Sequence, residues 1–113
     1  MEQKTLKGHR VLFGQIAEIG DVEAVGENGT LKQEFILFVP GGRDRFTGDN
    51  LPDDYWKIGI LGDALKTQQM NPAVLGSRAK VGIWLNSRRV EPKQAGQEVL
   101  YFINATLAEI ELL

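Results

Sequence analysis

Cysteine is absent from the 113 residues, which excludes disulfides, thiolate nucleophiles and cysteine-ligated metals. Histidine is nearly absent: His9 is the only one. It lies beside a polar leader, so a Ser-His-Asp arrangement would have to take its base from a surface segment. No stretch approaches the ~20 apolar residues of a membrane span, and Met1-Glu2-Gln3-Lys4-Thr5 has no apolar run behind it to form a signal peptide. A soluble, cytoplasmic protein is the default expectation. Pro40-Gly41-Gly42 lacks the Gly-Lys-Ser/Thr ending of a phosphate loop, and no dinucleotide fingerprint occurs. Asp44, Asp49, Asp53 and Asp54 match no calcium-loop spacing. No catalytic residue, cofactor or metal site is therefore expected.

An excess of positive charge is also missing. The formal net charge is −2, which argues against nucleic-acid binding by bulk basicity. The charge is nonetheless segregated. Residues 21–54 hold eight acids and three bases, whereas residues 76–97 hold Arg78, Lys80, Arg88, Arg89 and Lys93 against Glu91 alone. One segment can thus present a local positive surface. Hydrophobic residues at 42% and charged residues at 25% are those of an ordinary globular protein. The length suits one domain with a real core, divided here into a polar leader, residues 1–8, and a single domain, residues 9–113.

The centre of the chain, Asp54 to Leu65, organises the rest. Ile58 and Ile60 alternate with Lys57 and Gly59, the period of a strand with one buried face. Trp56 shares the parity of the isoleucines and reads as core. Tyr55 and Lys57 share the opposite parity, so a ring and a cation stand together on the outer face. Around this strand the chain reads as all-β. A first strand runs from Arg10 to Ile19, with Gly14 marking a bulge or bend. Asn28-Gly29 signals a hairpin turn. A second strand, residues 31–39, places Leu31, Phe35, Leu37 and Val39 on one parity and Lys32, Glu34, Ile36 and Phe38 on the other. A polar loop with Arg43, Arg45 and Phe46 leads to the central third strand, and Ala64 to Met70 forms a short helix stopped by Asn71-Pro72. A fourth strand over residues 78–89 has Ala79, Val81, Ile83 and Leu85 facing in and Lys80, Trp84 and Arg88 facing out, and a fifth covers residues 98–112. Phe13, Phe35, Trp56 and Phe102 are assigned to the core. Five strands with a helix between the third and fourth is the element order of the OB-fold, a Greek-key barrel; an SH3-like barrel is the structural competitor.

Several short motifs, in order, are similar to those of the bacterial single-stranded DNA-binding protein family. Gly14 and Ile16 match its opening strand. Tyr55-Trp56-Lys57-Ile58-Gly59-Ile60-Leu61-Gly62 resembles its Trp-His-Arg-Val-Val-Leu-Phe-Gly, and Gly76-Ser77-Arg78-Ala79-Lys80-Val81 the start of its fourth strand. Ser87-Arg88 and Gly96-Gln97, with Tyr101 following, match further positions. Anchored on Gly62, the resemblance places the family's stacking tryptophan on Tyr55, its arginine on Lys57 and its second ring on Leu61, which cannot stack. It implies an OB barrel that binds single-stranded DNA, or RNA, without catalysis and as a homo-oligomer. No acidic tail for recruiting partner proteins is expected.

The resulting expectation is a groove that stacks bases and neutralises phosphates with little sequence preference. Its candidate residues are Tyr55, Lys57, Lys32, Lys80, Trp84, Arg88, Arg89, Arg43, Arg45 and Phe46. Trp84 stacks a base, covers the barrel or fills an interface. The alternative is an OB-fold module that binds protein or builds an assembly without nucleic acid.

Overall fold

The protein is described here by a computed structural model covering residues 6–113. Six strands, β1 (Arg10–Ile19), β2 (Glu23–Val25), β3 (Thr30–Val39), β4 (Asp54–Leu61), β5 (Arg78–Val90) and β6 (Leu100–Leu112), frame one short helix, α1 (Ala64–Gln68). A single 3-10 turn, Pro72–Val74, follows the helix. The sheet order is β1-β5-β6-β4-β3-β2, and β1 also pairs with β3. That extra pairing closes β1, β3, β4, β6 and β5 into a five-stranded barrel, with β2 as a flap on β3. The all-β OB architecture and the helix between β4 and β5 agree with the sequence reading. β2 was not foreseen: it is the far side of the Asn28-Gly29 hairpin, pairing Glu23–Val25 with Lys32–Thr30.

Closure depends on β1 changing partner. Residues Arg10–Gln15 pair with β5, and Gln15–Ile19 pair with β3, with a register irregularity between Ile16 and Glu18. Gly14 sits at the crossing. A Cβ there would lie 2.3 Å from the Phe38 carbonyl oxygen, so only glycine lets the two backbones approach this closely. The expected bend is this change of partner.

Inward residues fill the barrel. Ile16, Phe35, Leu37, Ile58, Ile60, Val81 and Ile83 are fully buried, each worth about 1.5–3 kcal/mol on transfer from water. Leu65 from α1 and Met70 beyond it complete the cluster, against which Trp56 is partly buried. The helix is shorter than expected because Gln69 turns extended, with ψ 132°. Met70 is held instead by Gln33, the buried polar residue of the core. Its Nε2 donates to the Gly20 and Met70 carbonyls at 3.0 and 3.1 Å, and its Oε1 accepts from the Met70 N–H at 2.8 Å.

Three assignments are corrected. Phe13 is 58% exposed and Phe102 43% exposed rather than core. Both lie on the outward parity, where Lys80 covers Phe13 and Arg88 covers Phe102 at 5.5 and 5.9 Å from the ring centroids. The polar leader is not separate from the domain as far as Gly8. Leu6 is 4% exposed, and the Lys7 carbonyl and Leu6 Cβ occupy the space that a side chain on Gly82 would need. The Lys7 N–H donates to Glu109 at 3.1 Å. Residues 1–5 of that leader lie outside the described residues. His9 is likewise engaged, its Nδ1 accepting from the Leu85 N–H at 3.0 Å.

Candidate nucleic-acid interface

The site grows out of one topological feature. β4 and β6 run parallel and pair only at Ile58–Ala105 and Gly59–Thr106. The antiparallel β5–β6 ribbon, by contrast, continues out to Val90–Leu100. The ribbon therefore leaves the barrel wall as an arm, and a groove of about 360 Å³ lies between it and β3–β4. Alternation decides what faces the groove. Lys32 and Glu34 project from β3, Lys57 and Leu61 from β4, Asn86 and Arg88 from β5, and Asn104 and Thr106 from β6. Gly59 forms the floor, without a side chain to fill it.

Three cations from three strands thus converge on one groove, and the register explains why. Lys32 pairs with Leu61, Glu34 with Gly59 and Ile36 with Lys57, which puts these side chains on one outward face. On the arm, Asn86 pairs with Asn104 and Arg88 with Phe102. Glu34 is the carboxylate of the lining. Its Oε2 lies 3.7 Å from Lys32 Nζ and 3.9 Å from Lys57 Nζ. All three side chains are solvent-accessible, so these are weak, exchangeable pairs.

Tyr55 stands two residues before Lys57 on the same face, about 7 Å along the strand. It is 68% exposed and packs against Phe38, the ring centroids 5.2 Å apart at 48°. One side of the phenol ring is thus braced while most of the ring stays in solvent. Trp56, one residue on, turns inward, and the Arg10 guanidinium lies 5.5 Å from its ring centroid.

The remaining candidates lie elsewhere. Lys80 is on the β1 flank, paired with Phe13. Trp84 is 44% exposed, with its ring edge-on to His9 at 5.1 Å, and it is absent from the groove lining. Arg89 points to the other face of the arm and pairs with Glu91.

Arg43, Arg45 and Phe46 belong to a finger between β3 and β4, closed by the Arg43–Asn50 bridge. At its tip Asp44 accepts from the Phe46 and Thr47 N–H groups at 2.8 and 2.9 Å. The Thr47 bond first and the Phe46 bond second hold its carboxyl below the usual 3.8. Phe46 caps the finger at 93% exposure.

Sequence reasoning missed Glu34, Asn86, Asn104 and Thr106 as groove residues, and Phe102 as an outward ring beside Arg88. The available signal was outward parity, on the two longest strands for Asn86, Phe102, Asn104 and Thr106 and on β3 for Glu34. A second depression of about 440 Å³, more open, is lined by Phe13, Phe38, Pro40, Leu113 and a single cation, Arg78. Among the described residues no group of three or more His, Cys, Asp or Glu could hold a metal ion, and no helix is long and apolar enough to cross a membrane.

This is an OB-fold barrel with a cationic groove beside a projecting β-ribbon. No protein-family profile and no curated protein sequence matches the chain. Solved structures do, and their fold is that of the single-stranded DNA-binding proteins. The single-stranded DNA-binding protein from Thermus aquaticus superposes with a TM-score of 0.67 at 16% identity, over 91% of this chain and 48% of that one. The present chain therefore spans about half the length of that relative. The Plasmodium falciparum SSB, solved in complex with single-stranded DNA, gives a TM-score of 0.66 at 18% identity, covering 100% of this chain and 99% of that one. The N-terminal domain of PriB from Thermoanaerobacter tencongensis, a dimer, gives 0.50 at 18%, covering 92% and 93%.

Proposed function

We propose that the chain binds single-stranded nucleic acid, DNA in the first instance, in the groove between β3–β4 and the β5–β6 arm, without catalysis. The observation that carries this reading is the convergence of Lys32, Lys57 and Arg88 on one groove, in line with the braced, exposed ring of Tyr55. Phosphates pair with the three cations and a base stacks on Tyr55. Stacking is tolerant of base identity because every base has a π-face, so little sequence preference is expected. The structural likeness to proteins named for single-stranded DNA binding supports the same reading. Arg43, Arg45 and Phe46 on the finger, together with Lys80, Trp84 and Arg89, form an outer set that a longer strand reaches after the groove is filled.

The groove is local and the net charge is negative, so affinity depends on salt and on strandedness. Fluorescence anisotropy of a labelled oligo-dT, a matching duplex and an oligo-U, each at two salt concentrations, tests it. The expected order is oligo-dT well above duplex, with affinity falling as salt rises. Equal weak binding to all three would overturn the groove reading.

A second reading, homo-oligomeric assembly, rests on a different observation. Leu100, Tyr101, Phe102 and Ile103 on the arm are 53, 70, 43 and 77% exposed, a run of apolar surface that a monomer rarely presents. The two readings share part of the arm: Ile103 also lines the groove, whereas Leu100 and Tyr101 lie outside its lining.

A further inference from the structure

Glu34 stands between two of the three cations that line the groove. One oxygen, Oε2, faces both Lys32 Nζ and Lys57 Nζ, at 3.7 and 3.9 Å. The register makes this meeting possible. Glu34 pairs with Gly59, which has no side chain, and the Lys32 stem lies across the same spot: a Cβ on Gly59 would come within 3.3 Å of Lys32 Cε. Glycine here leaves the space in which the carboxylate and the two ammonium groups gather. With side-chain exposures of 34, 40 and 66% for Lys32, Glu34 and Lys57, water reaches all three, so the pairs can exchange for another anion.

We propose, resting on the single-strand-binding reading above, that Glu34 is a built-in competitor for phosphate. It neutralises Lys32 and Lys57 in the free protein and must be displaced before a nucleic-acid backbone can use them. The carboxylate then remains in the groove as a like charge against the incoming phosphate, lowering affinity and favouring release. Arg88, across the groove on the arm, is not paired with Glu34 and makes the first phosphate contact.

The test compares wild type, Glu34→Gln, the Lys32→Gln/Lys57→Gln pair and the triple variant, each titrated with oligo-dT and oligo-dC from low to high salt. Thermal melting confirms that each is folded. Glu34→Gln is expected to tighten oligo-dT and oligo-dC equally, by about three- to tenfold at low salt. The gain should shrink as salt screens it, and the salt slope should steepen by up to about 0.7, one more phosphate neutralised on a single strand. In the background lacking both lysines the gain should shrink to the smaller part that comes from removing the like charge alone, because there are no lysines left to release; an undiminished gain there would overturn the competition.

A Glu34→Gln protein that binds as wild type does, with wild type binding well, would overturn the competitor role and leave the groove reading intact. Loss of affinity confined to oligo-dC would also overturn it, since the carboxylate would then be accepting from a cytosine amine. If neither wild type nor Glu34→Gln binds oligonucleotide, the groove reading itself fails, and this inference with it.

Discussion

Tyr55, Trp56 and Lys57 are consecutive, and their side chains have different environments because neighbours in a strand point to opposite faces. Tyr55→Ala is expected to weaken oligo-dT binding by about 1–3 kcal/mol, the usual stacking loss. Its melting temperature should stay near wild type, since the ring is 68% exposed. Lys57→Ala should instead flatten the salt dependence by about 0.7. Trp56→Ala removes a ring packed against the core cluster, and should cost about 3 kcal/mol of stability, the lower end for an aromatic deletion because the ring is only partly buried. Urea melts and anisotropy on the three variants separate these effects. A folded Trp56→Ala protein that has lost binding would show that the two faces are exchanged. Gln33 sets a second expectation at this scale. Gln33→Leu fits the apolar parity of β3 but strands the N–H and C=O of Met70 and the Gly20 carbonyl. It should destabilise by about 1–3 kcal/mol or more, because buried polar groups without partners forfeit their hydration.

At the scale of elements, the N-terminal segment behaves as part of β5's packing rather than as a leader. Leu6 rests on Gly82 beside the edge of the β1–β5 pair. Leu6→Ala should cost about 2 kcal/mol, the low end for a buried leucine, and deletion of residues 1–8 should cost at least as much; an unchanged melting temperature would show that Leu6 contributes nothing. The β3–β4 finger carries a different dependence. Asp44 has a carboxyl held below its ordinary value by backbone N–H groups that bond its charged form. Stabilisation of this kind is full above the ordinary 3.8 and is lost as pH falls through the lower folded value. Amide exchange of Phe46 and Thr47, corrected for intrinsic rate, should therefore show the tip opening only below the ordinary 3.8. An Asp44→Ala finger should already be open at neutral pH. Placing an exposed phenylalanine on a tip held in this way keeps the ring presented without burying it.

At the scale of the whole molecule, the arm that makes one wall of the groove also exposes the largest apolar run. Leu100→Ser together with Tyr101→Ser should shift light-scattering mass toward monomer at high protein concentration while leaving the melting temperature within a few degrees. Both side chains lie at the solvent-exposed end of the ribbon. A wild type that is already monomeric at high concentration would remove the assembly reading. The charge of the whole chain, −2 with a pI near 5.4, gives no general attraction to nucleic acid. Binding then depends on cations that the fold concentrates, and its salt slope should report roughly three phosphates and not a diffuse surface.

What the sequence determined by itself was local. Period-two alternation assigned the faces of β3, β4 and β5, Asn28-Gly29 marked the hairpin that contains β2, and Gly14 marked the strand that bends. These features depend on neighbours along the chain, where steric and hydrophobic patterns act directly. The element order and family resemblance then pointed to the OB barrel and to Tyr55 and Lys57. Tertiary structure alone decided which outward residues meet. Arg88 joins Lys32 and Lys57 because β4 and β6 part after two paired positions, a fact of strand divergence and not of any motif. Lys80 and Trp84, on the same outward parity as Arg88, fall away toward β1, because a twisted thirteen-residue strand carries one parity past several neighbours. Phe13 and Phe102 read as core because they are large and apolar. They are outside because parity and the arm's projection, rather than hydrophobicity, set their side, and a cation laid across each ring leaves part of it exposed. Glu34 faced outward in the sequence as one more surface acid. Only pairing opposite Gly59 brought its carboxylate between two lysines, since contacts across strands are fixed by register and register is a property of the closed barrel.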